Sequence, residues 1–195
     1  MRKEDIPTFS DSISTAYEGY PFFDYLFDGG YNKPLVEEIF NVSMNIQFPN
    51  LVSLSADNKA SSVAIFIPSK FTNIGGMRYL FNGGFGLIGR MGMPAAKRMS
   101  RYEKYALKIM KENINDDAWY VFNFCTRPEY RHTGLSSSTM RPMLDYLDRV
   151  KKSLYLETHK KENVAMYEHF GFKVVNESKI SGSDCDFYAM LRTPQ

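Results

Sequence analysis

Apolar and polar positions in the first half of the chain follow the spacing of helices, interrupted by one pair of short strand-like runs. Apolar side chains recur every three to four positions through residues 9–47, which predicts two helices joined by a Gly-Gly turn. β-Branched runs at residues 50–57 and 61–69 predict a hairpin. Residues 82–92 are rich in glycine and methionine and are expected to form a loop or short helix, whereas residues 94–113 have the spacing of an amphipathic helix.

The second half alternates apolar runs of strand length with segments of helical spacing. Apolar side chains recur at helical spacing from Met140 to Val150, and a second, shorter helix is expected to stop at Gly171. The second half is therefore predicted to run strand, helix, strand, helix, strand, strand. The predicted strands are residues 119–126, 153–158, 172–177 and 185–192.

Composition and charge exclude several classes of protein. The chain has 195 residues without an internal repeat or low-complexity segment, so we expect one domain over residues 1–195. A net charge of +2 is too small to indicate nucleic-acid binding but is compatible with a small anionic ligand. Cys125 and Cys185 stand apart without metal-binding spacing, so neither a metal site nor a disulfide is expected. No apolar run approaches the ~20 residues of a membrane span, and we expect a cytoplasmic protein that binds no membrane.

The stretch RPEYRHTGLSSSTM, residues 127–140, lies between a predicted strand and a predicted helix. Such a junction directs unpaired backbone N–H groups and the positive end of the helix dipole at one point, which favours an anion. Arg131 adds a charge, and Gly134 permits a positive φ or a close approach to the backbone. The three serines that follow either cap the helix or bind the ligand, and the sequence leaves both interpretations open.

Motifs in this stretch and downstream resemble those of one family. The chain contains neither GxxxxGK followed by Ser or Thr nor a GxGxxG with a later acidic residue, so two common phosphate loops are excluded. Residues 131–136 instead follow the pattern RxxGx with Gly or Ala at the end, except that Ser136 departs from it at the last position. Asn163 is followed four residues later by Tyr167 and then by the pair Gly171–Phe172. The chain thereby resembles the GNAT acyltransferases, most of all the branch that contains puromycin N-acetyltransferase.

The resemblance implies an α/β (α+β) fold with a central mixed, mostly antiparallel sheet of about six to seven strands flanked by helices. Two parallel strands, 119–126 and 153–158, would splay apart and hold acetyl-CoA between them. Residues 115–192 would form the acetyl-CoA-binding core, and residues 1–50 would form the helical acceptor side.

Acetyl-CoA is the cosubstrate that the resemblance implies. Backbone groups of residues 124–126 would pair with the pantetheine arm, and the amides of residues 132–137 would bind the pyrophosphate. Asn163 would cap its helix and contact the pantetheine arm. The expected cofactor-binding residues are Phe124, Cys125, Thr126, Arg131, His132, Thr133, Gly134, Leu135, Ser136, Ser137 and Asn163.

Acetyl transfer to an amine needs an acid for the departing thiolate and a base for the ammonium. Tyr167 matches the family's general acid, and a tyrosine hydroxyl with a pKa near ~10 stays protonated at neutral pH. Glu157 ends a strand near the expected cleft and is the candidate base, acting directly or through a water chain. The other candidates are His132, His159 and His169, each more simply interpreted as a loop or helix-surface histidine. Cys125 has no motif partner and is better interpreted as a small buried hydrophobe than as a nucleophile.

The N-terminal helices are rich in aromatic residues, and Tyr20, Phe23 and Tyr25 are expected to contact the acceptor. The first hypothesis is direct transfer of an acetyl group from acetyl-CoA to a primary amine of a small molecule. Two alternatives are a peptide or protein N-acetyltransferase and a non-catalytic acyl-CoA-binding module. The protein is expected to be a monomer or homodimer.

Overall fold

Side chains at alternate strand positions point to opposite sides of one sheet, and helices cover both sides. The structure is a computed structural model that describes residues 2–28, 30–73, 75–115 and 117–195, and within them it contains a six-stranded sheet. The helices are α1 (Ile6–Ala16), α2 (Pro21–Phe27), α3 (Lys33–Gln47), α4 (Gly76–Tyr79), α5 (Phe85–Asn113), α6 (Leu135–Arg149) and α7 (Lys161–His169). The strands are β1 (Val52–Ser55), β2 (Ser62–Pro68), β3 (Trp119–Thr126), β4 (Leu154–Thr158), β5 (Lys173–Lys179) and β6 (Asp186–Arg192).

The sheet has the order β1-β2-β3-β4-β6-β5, and its neighbouring strands are antiparallel except for β3 and β4. The predicted fold class, a mixed and mostly antiparallel sheet between helices, is therefore confirmed. Within the described residues, β3 and β4 pair only at Trp119–Leu154 and Tyr120–Tyr155. Both strands then continue, β3 to Thr126, so a cleft opens between their carboxyl ends.

The two faces of the sheet carry separate cores. Leu154 and Leu156 of β4 pack with α6 and α7, whereas Tyr155 between them packs with α2, α3 and α5. Glu157 continues this alternation and faces the side of α2 and α5. The α6–α7 side also buries Met140, Leu144, Leu147 and Phe172. Different helices therefore cover the two faces of the sheet beside the cleft.

The N-terminal segment contains three helices rather than the two predicted. α1 ends at Ala16, Gly19 adopts a φ of +69°, and Pro21 begins α2. A positive φ is outside the helical region, and proline lacks the N–H that a continuing helix needs, so the two residues together break the expected first helix. The start of the second predicted helix agrees better with the structure, because α3 begins at Lys33 and has Pro34 in its first turn.

The predicted loop or short helix at residues 82–92 is largely the first part of α5. This helix begins at Phe85 and bends at Gly92, whose φ of 79° and ψ of 155° are not helical, just before Pro94. Its second part runs to Asn113, which confirms the predicted amphipathic helix. Neither α5 nor any other described helix combines the length and apolar character needed to cross a membrane.

The predicted strands are confirmed. The hairpin is formed by β1 and β2, with Ser55 opposite Val63. β3 has the predicted bounds, and β4 starts one residue later than predicted, at Leu154. The two closing strands pair with each other as β5 and β6, and β6 lies between β5 and β4 in the sheet.

Candidate active site

The cleft between β3 and β4 leaves one edge of β3 unpaired. The amide of Arg127 donates to the carbonyl of Ser61 at 3.0 Å, so the backbone of this residue faces β2. Backbone groups alternate in direction along a strand, and the N–H and C=O groups of Thr126 and Phe124 therefore face the cleft. Two of the predicted cofactor-binding residues thus present backbone donors and acceptors to this opening.

A bulge in β3 produces this orientation. Before the bulge, the amide of Trp119 donates at 2.8 Å to the carbonyl of Ser153, directly before β4. The register with β2 then shifts between Ile65 and Phe66, and Phe122 is left without an opposing residue. One extra residue reverses which backbone groups face each neighbour, so even-numbered residues face the cleft beyond this point.

The expected role of Cys125 is corrected by its orientation. Its carbonyl accepts a hydrogen bond from Oγ of Ser62 on β2 at 3.3 Å, so its backbone points away from the cleft. Its side chain is buried, and burial raises the pKa of the thiol to about 12. Cys125 is therefore a small buried side chain and a neutral thiol, in agreement with the interpretation that it is no nucleophile.

The N-terminus of α6 lies directly after the β3 loop and offers free amides. Gly134 occupies the cap position with a φ of 84°. The first helical hydrogen bond runs from the amide of Ser138 to the carbonyl of Gly134 at 3.2 Å. The amides of Leu135, Ser136 and Ser137 therefore have no acceptor inside the helix, which is the arrangement that binds an anion.

The capping interpretation of the three serines is wrong. Ser136, Ser137 and Ser138 lie inside the first turn of α6, and the cap residue before them is Gly134. The Oγ of Ser138 donates back to the carbonyl of Leu135 at 3.0 Å. The serines thus neither cap the helix nor consume its first amides.

The exposed residues before α6 shape the loop. Nη2 of Arg131 donates to the carbonyl of Ala16 at 3.0 Å, which ties the loop to the end of α1. Oγ1 of Thr133 donates to the carbonyl of Tyr130 at 2.6 Å, and His132 has a positive φ of 64°. The loop turns sharply here, and its backbone amides arrive at the start of α6.

Tyr167 projects from α7 toward β3. Its ring centroid lies 6.2 Å from that of Phe124 and 5.7 Å from that of Phe172. Burial, together with the nearby Tyr20 and Cys125, raises the pKa of its hydroxyl well above the usual range. Tyr167 therefore remains protonated at neutral pH, as a general acid must.

Asn163 links α7 to β4 and does not cap its helix, which corrects one of the two roles expected for it. Lys160 precedes α7 and makes no side-chain cap. Nδ2 of Asn163 donates to Oγ1 of Thr158 at 3.1 Å, and the hydroxyl of Tyr20 lies 3.0 Å from the same oxygen. The amide of His159 donates to the Tyr20 hydroxyl at 2.9 Å. These bonds join the end of β4 to α7 and to the α1–α2 turn.

Glu157 lies near the end of β4 on the side of α2 and α5. Its Oε2 accepts hydrogen bonds from the hydroxyls of Tyr120 at 3.0 Å and Tyr102 at 3.3 Å. Burial raises the pKa of Glu157 to about 7, and hydrogen bonds from tyrosine hydroxyls oppose that rise. The carboxyl group therefore titrates near neutral pH, which suits a general base.

Comparison with known proteins finds one family whose model matches part of the chain, and several structures of similar fold. Residues 105–172 match the model of the acetyltransferase (GNAT) family. The structure is similar to a histone acetyltransferase HPA2 and related acetyltransferase from Corynebacterium glutamicum, with a TM-score of 0.67 at 15% identity, covering 100% of this chain and 94% of that one. It is also similar to an N-acetyltransferase from Staphylococcus aureus, with a TM-score of 0.58 at 12% identity over 97% and 96% of the two chains. The chain has the GNAT fold.

The segment matched by the GNAT family model contains the strands and helices that border the cleft, but not Tyr20 or Tyr102. Residues 105–172 include β3, the start of α6, β4 and α7 with Tyr167. A ribosomal-protein-S18-alanine N-acetyltransferase from Escherichia coli shares the fold, with a TM-score of 0.56 at 14% identity over 99% of this chain and 90% of that one. The family match is limited to residues 105–172, and the similar structures show that the chain shares their fold.

Of the aromatic residues expected to contact the acceptor, the GNAT cleft brings only Tyr20 close to the end of β4. Phe23 is 3% exposed and packs among Tyr17, Phe40 and other core rings, so its expected contact with an acceptor is corrected. Tyr25 is half-buried, and its hydroxyl donates to the carbonyl of Arg98 at 3.3 Å. It lines a cleft of about 450 Å³ with residues from α2, α5 and the β5–β6 turn. The other lining residues are Asp24, Asp28, Pro94, Lys97, Arg98, Arg101, Gly182 and Ser183.

Sequence reasoning missed two residues that contact Glu157, and its interpretation of His159 as a loop or surface histidine is wrong. Tyr102 and Tyr120 contact Glu157, and His159 is buried with its Nδ1 2.8 Å from the carbonyl of Asp186. Because a carbonyl only accepts, Nδ1 carries the proton, and burial lowers the pKa of His159 to about 4. In the sequence Tyr102 and Tyr120 have the spacing of core positions, and only their hydroxyl groups indicated a further role.

Proposed function

We propose that the protein is an N-acetyltransferase that transfers an acetyl group from acetyl-CoA directly to a primary amine of a small molecule. The observation that carries this proposal is the pairing of two groups at one cleft. Glu157, with a pKa of about 7, faces the side of α2 and α5. Tyr167, whose pKa burial raises, packs on the α6–α7 side. A base and an acid on the two sides of one opening fit the two proton transfers of the reaction.

The free backbone groups fit the parts of acetyl-CoA. The cleft-facing groups of Phe124 and Thr126 would hold the amides of the pantetheine arm, as an added strand would be held. The amides of residues 135–137 would bind the pyrophosphate at the start of α6. Arg131 lies beside that anion site, and its remaining guanidinium hydrogens would face the phosphates. Ser136 offers a small donor there, so we expect the loop to accommodate it.

The reaction includes two proton transfers, one to Glu157 and one from Tyr167. Glu157 takes a proton from the acceptor ammonium, and the freed lone pair on nitrogen attacks the thioester carbonyl carbon. A C–N bond forms, the C–S bond breaks, and Tyr167 protonates the departing thiolate sulfur. The nitrogen loses two protons in all, of which one ends on sulfur and one passes to solvent through Glu157. Tyr167 regains its proton, and the net release is one proton per acetyl group.

A small-molecule acceptor is favoured by the aromatic residues around the cleft and by the resemblance to the puromycin N-acetyltransferase branch. Tyr20 lies at the end of β4, and the rings of Phe22 and Tyr102 lie tilted against each other near it, at a centroid distance of 4.4 Å. Such rings favour an aromatic or apolar amine. Tyr25 is proposed to contact the outer end of the acceptor in the neighbouring cleft.

The decisive experiment mixes the protein with acetyl-CoA and a panel of aromatic amines, polyamines and peptides, and follows the free thiol of CoA. We expect turnover with one or more small amines and acetylated product by mass spectrometry. Turnover with peptides alone would identify a peptide or protein acetyltransferase. Thermal stabilisation by acetyl-CoA without turnover on any member of the panel would indicate a binding module.

A further inference from the structure

We propose that Tyr102 and Tyr120 are positioning residues that hold Oε2 of Glu157 and leave Oε1 to take the proton of the acceptor amine. The inference rests on the proposed function, in which Glu157 is the base. It specifies that Oε1 of Glu157 accepts the proton because Tyr102 and Tyr120 donate to Oε2.

The two hydroxyls reach the same oxygen from different elements. Tyr102 comes from α5 and Tyr120 from β3, at 3.3 Å and 3.0 Å from Oε2 of Glu157. A carboxylate only accepts, so both tyrosines donate. Because one donor is on a helix and the other on a strand, two independent parts of the fold determine the orientation of the carboxylate.

Packing holds each tyrosine ring in place. The ring of Tyr102 lies 4.4 Å from that of Phe22 and 5.4 Å from that of His159, centroid to centroid. The ring of Tyr120 stacks on that of Tyr155 at 6.1 Å with an interplanar angle of 28°. Neither hydroxyl needs to order a flexible side chain to reach Glu157, so the arrangement is preorganised.

The two oxygens of Glu157 are consequently unequal. A carboxylate has about four lone-pair sites, and two of the tyrosine hydroxyls occupy sites on Oε2. Among the described residues, no donor makes a hydrogen bond of normal geometry to Oε1, and the hydroxyl of Tyr155, which lies near the carboxyl group, makes none either. An oxygen that already accepts two donors is the weaker base, so the proton goes to Oε1. The amine would therefore approach Glu157 from the Oε1 side.

The titratable groups that face Glu157 are mostly tyrosines. Besides Tyr102 and Tyr120, the hydroxyl of Tyr155 on β4 lies close enough to favour the charged form of Glu157, and Tyr20 of the α1–α2 turn lies close enough for its charge to interact with it. The neighbouring His159 is neutral, because burial lowers its pKa to about 4. Loss of a donor to the carboxylate removes an interaction that favours its charged form. The pKa of Glu157 would then rise, and activity that needs ionised Glu157 would begin at higher pH.

The test compares Tyr102→Phe and Tyr120→Phe with Tyr105→Phe as the matched control. Tyr105 is also on α5 and half-buried, but its hydroxyl lies 2.7 Å from Oγ of Ser178. We expect the acidic limb of the kcat/KM profile to move up by about one pH unit in the first two variants. The limb of Tyr105→Phe should coincide with that of the wild type. Infrared titration of the Glu157 carboxyl group, without acceptor, should give the same shifts.

Two outcomes separate this inference from the proposed function. If Glu157→Gln is inactive but both tyrosine variants keep the wild-type pH profile and carboxyl titration, the positioning role is overturned and the base assignment stands. If Glu157→Gln keeps wild-type turnover, Glu157 is not the base, so the base assignment and the positioning role are both overturned while acetyl transfer itself stands. Acetyl-CoA binding and thermal unfolding identify variants that are folded, and each tyrosine variant tests the inference independently of the other.

Discussion

Asp148 and Arg192 form a two-pronged ion pair whose loss should destabilise the fold and the end of α7. Nη1 and Nη2 of Arg192 lie 2.7 Å from Oδ1 and Oδ2 of Asp148. Nε of Arg192 donates to the carbonyl of Phe170 at 3.0 Å, directly after the helix that carries Tyr167. Asp148→Asn keeps the size of the side chain but removes its charge and one acceptor.

The burial of the ion pair determines how much stability Asp148→Asn should lose. The side chain of Arg192 is 4% exposed and that of Asp148 is 24% exposed. Removing one partner of a fully buried pair costs about 3–5 kcal/mol, because a charge is left unpaired away from water. Water reaches Asp148, and asparagine retains one acceptor, so we expect a loss of about 2–3 kcal/mol. For a chain of this length the Tm should fall by about 4–12 °C.

The same pair predicts how the effect depends on pH. Hydrogen bonds from the Arg192 guanidinium lower the pKa of Asp148 from 3.8 to about 2. A lowered pKa in the folded state means that the stabilisation is present above the unfolded value and is lost as pH falls through the folded value. The difference between wild type and Asp148→Asn should therefore be full at pH 6 and shrink between about pH 4 and 2.

Urea and thermal unfolding at pH 6 and at lower pH measure both effects. Asp184→Asn is the control, because Asp184 is fully exposed and pairs with Lys179 at 3.2 Å on the surface. Exposed pairs contribute about 0–1 kcal/mol, so this variant should remain near wild type. An Asp148→Asn protein as stable as Asp184→Asn at pH 6 would refute the reasoning.

Three further predictions concern the site. Tyr167→Phe should lower kcat by about 10²–10⁴-fold while thermal shift shows nearly normal acetyl-CoA binding, and full activity with a good acceptor at neutral pH would rule out the acid role. Gly134→Ala should weaken acetyl-CoA binding by up to about tenfold in calorimetry, because an alanine resists the φ of 84° although its Cβ would meet no atom within 4 Å. Gly30→Ala is its control, since nothing crowds that position and its φ is not positive; an equal loss in both would contradict the backbone argument. Cys125→Ala should retain turnover, and an acetylated Cys125 trapped by mass spectrometry in the wild type would contradict direct transfer.

Local patterns predicted the strands and most helices because each repeats a periodicity that burial imposes. The aromatic run of β3 is compatible with few structures other than a buried strand, and the apolar spacing of residues 94–113 with few other than an amphipathic helix. The break between α1 and α2 was missed, although Gly19 and Pro21 were its signal, because the apolar spacing continues across it. Helical spacing by itself does not reveal a change of direction.

The motif residues around the cleft were predictable for a different reason. Gly134 adopts a positive φ, which favours glycine at that position, whereas Tyr167 was identified by its match to a family motif. The sequence could not reveal that Asn163 bonds to Thr158, or that Phe23 is in the core, because each depends on a contact between distant segments.

The sequence by itself determined the strand and helix order, the free amides at the start of α6, and the residue types available as acid and base. Tertiary structure alone decided which groups meet at the cleft. The bulge at Phe122 turned Phe124 and Thr126 toward the cleft and Cys125 away from it. Likewise Tyr102 and Tyr120, far apart from Glu157 in the chain, converge on one of its oxygens. Backbone direction and the pKa of a buried carboxyl group depend on neighbours in space, and a linear pattern does not contain them.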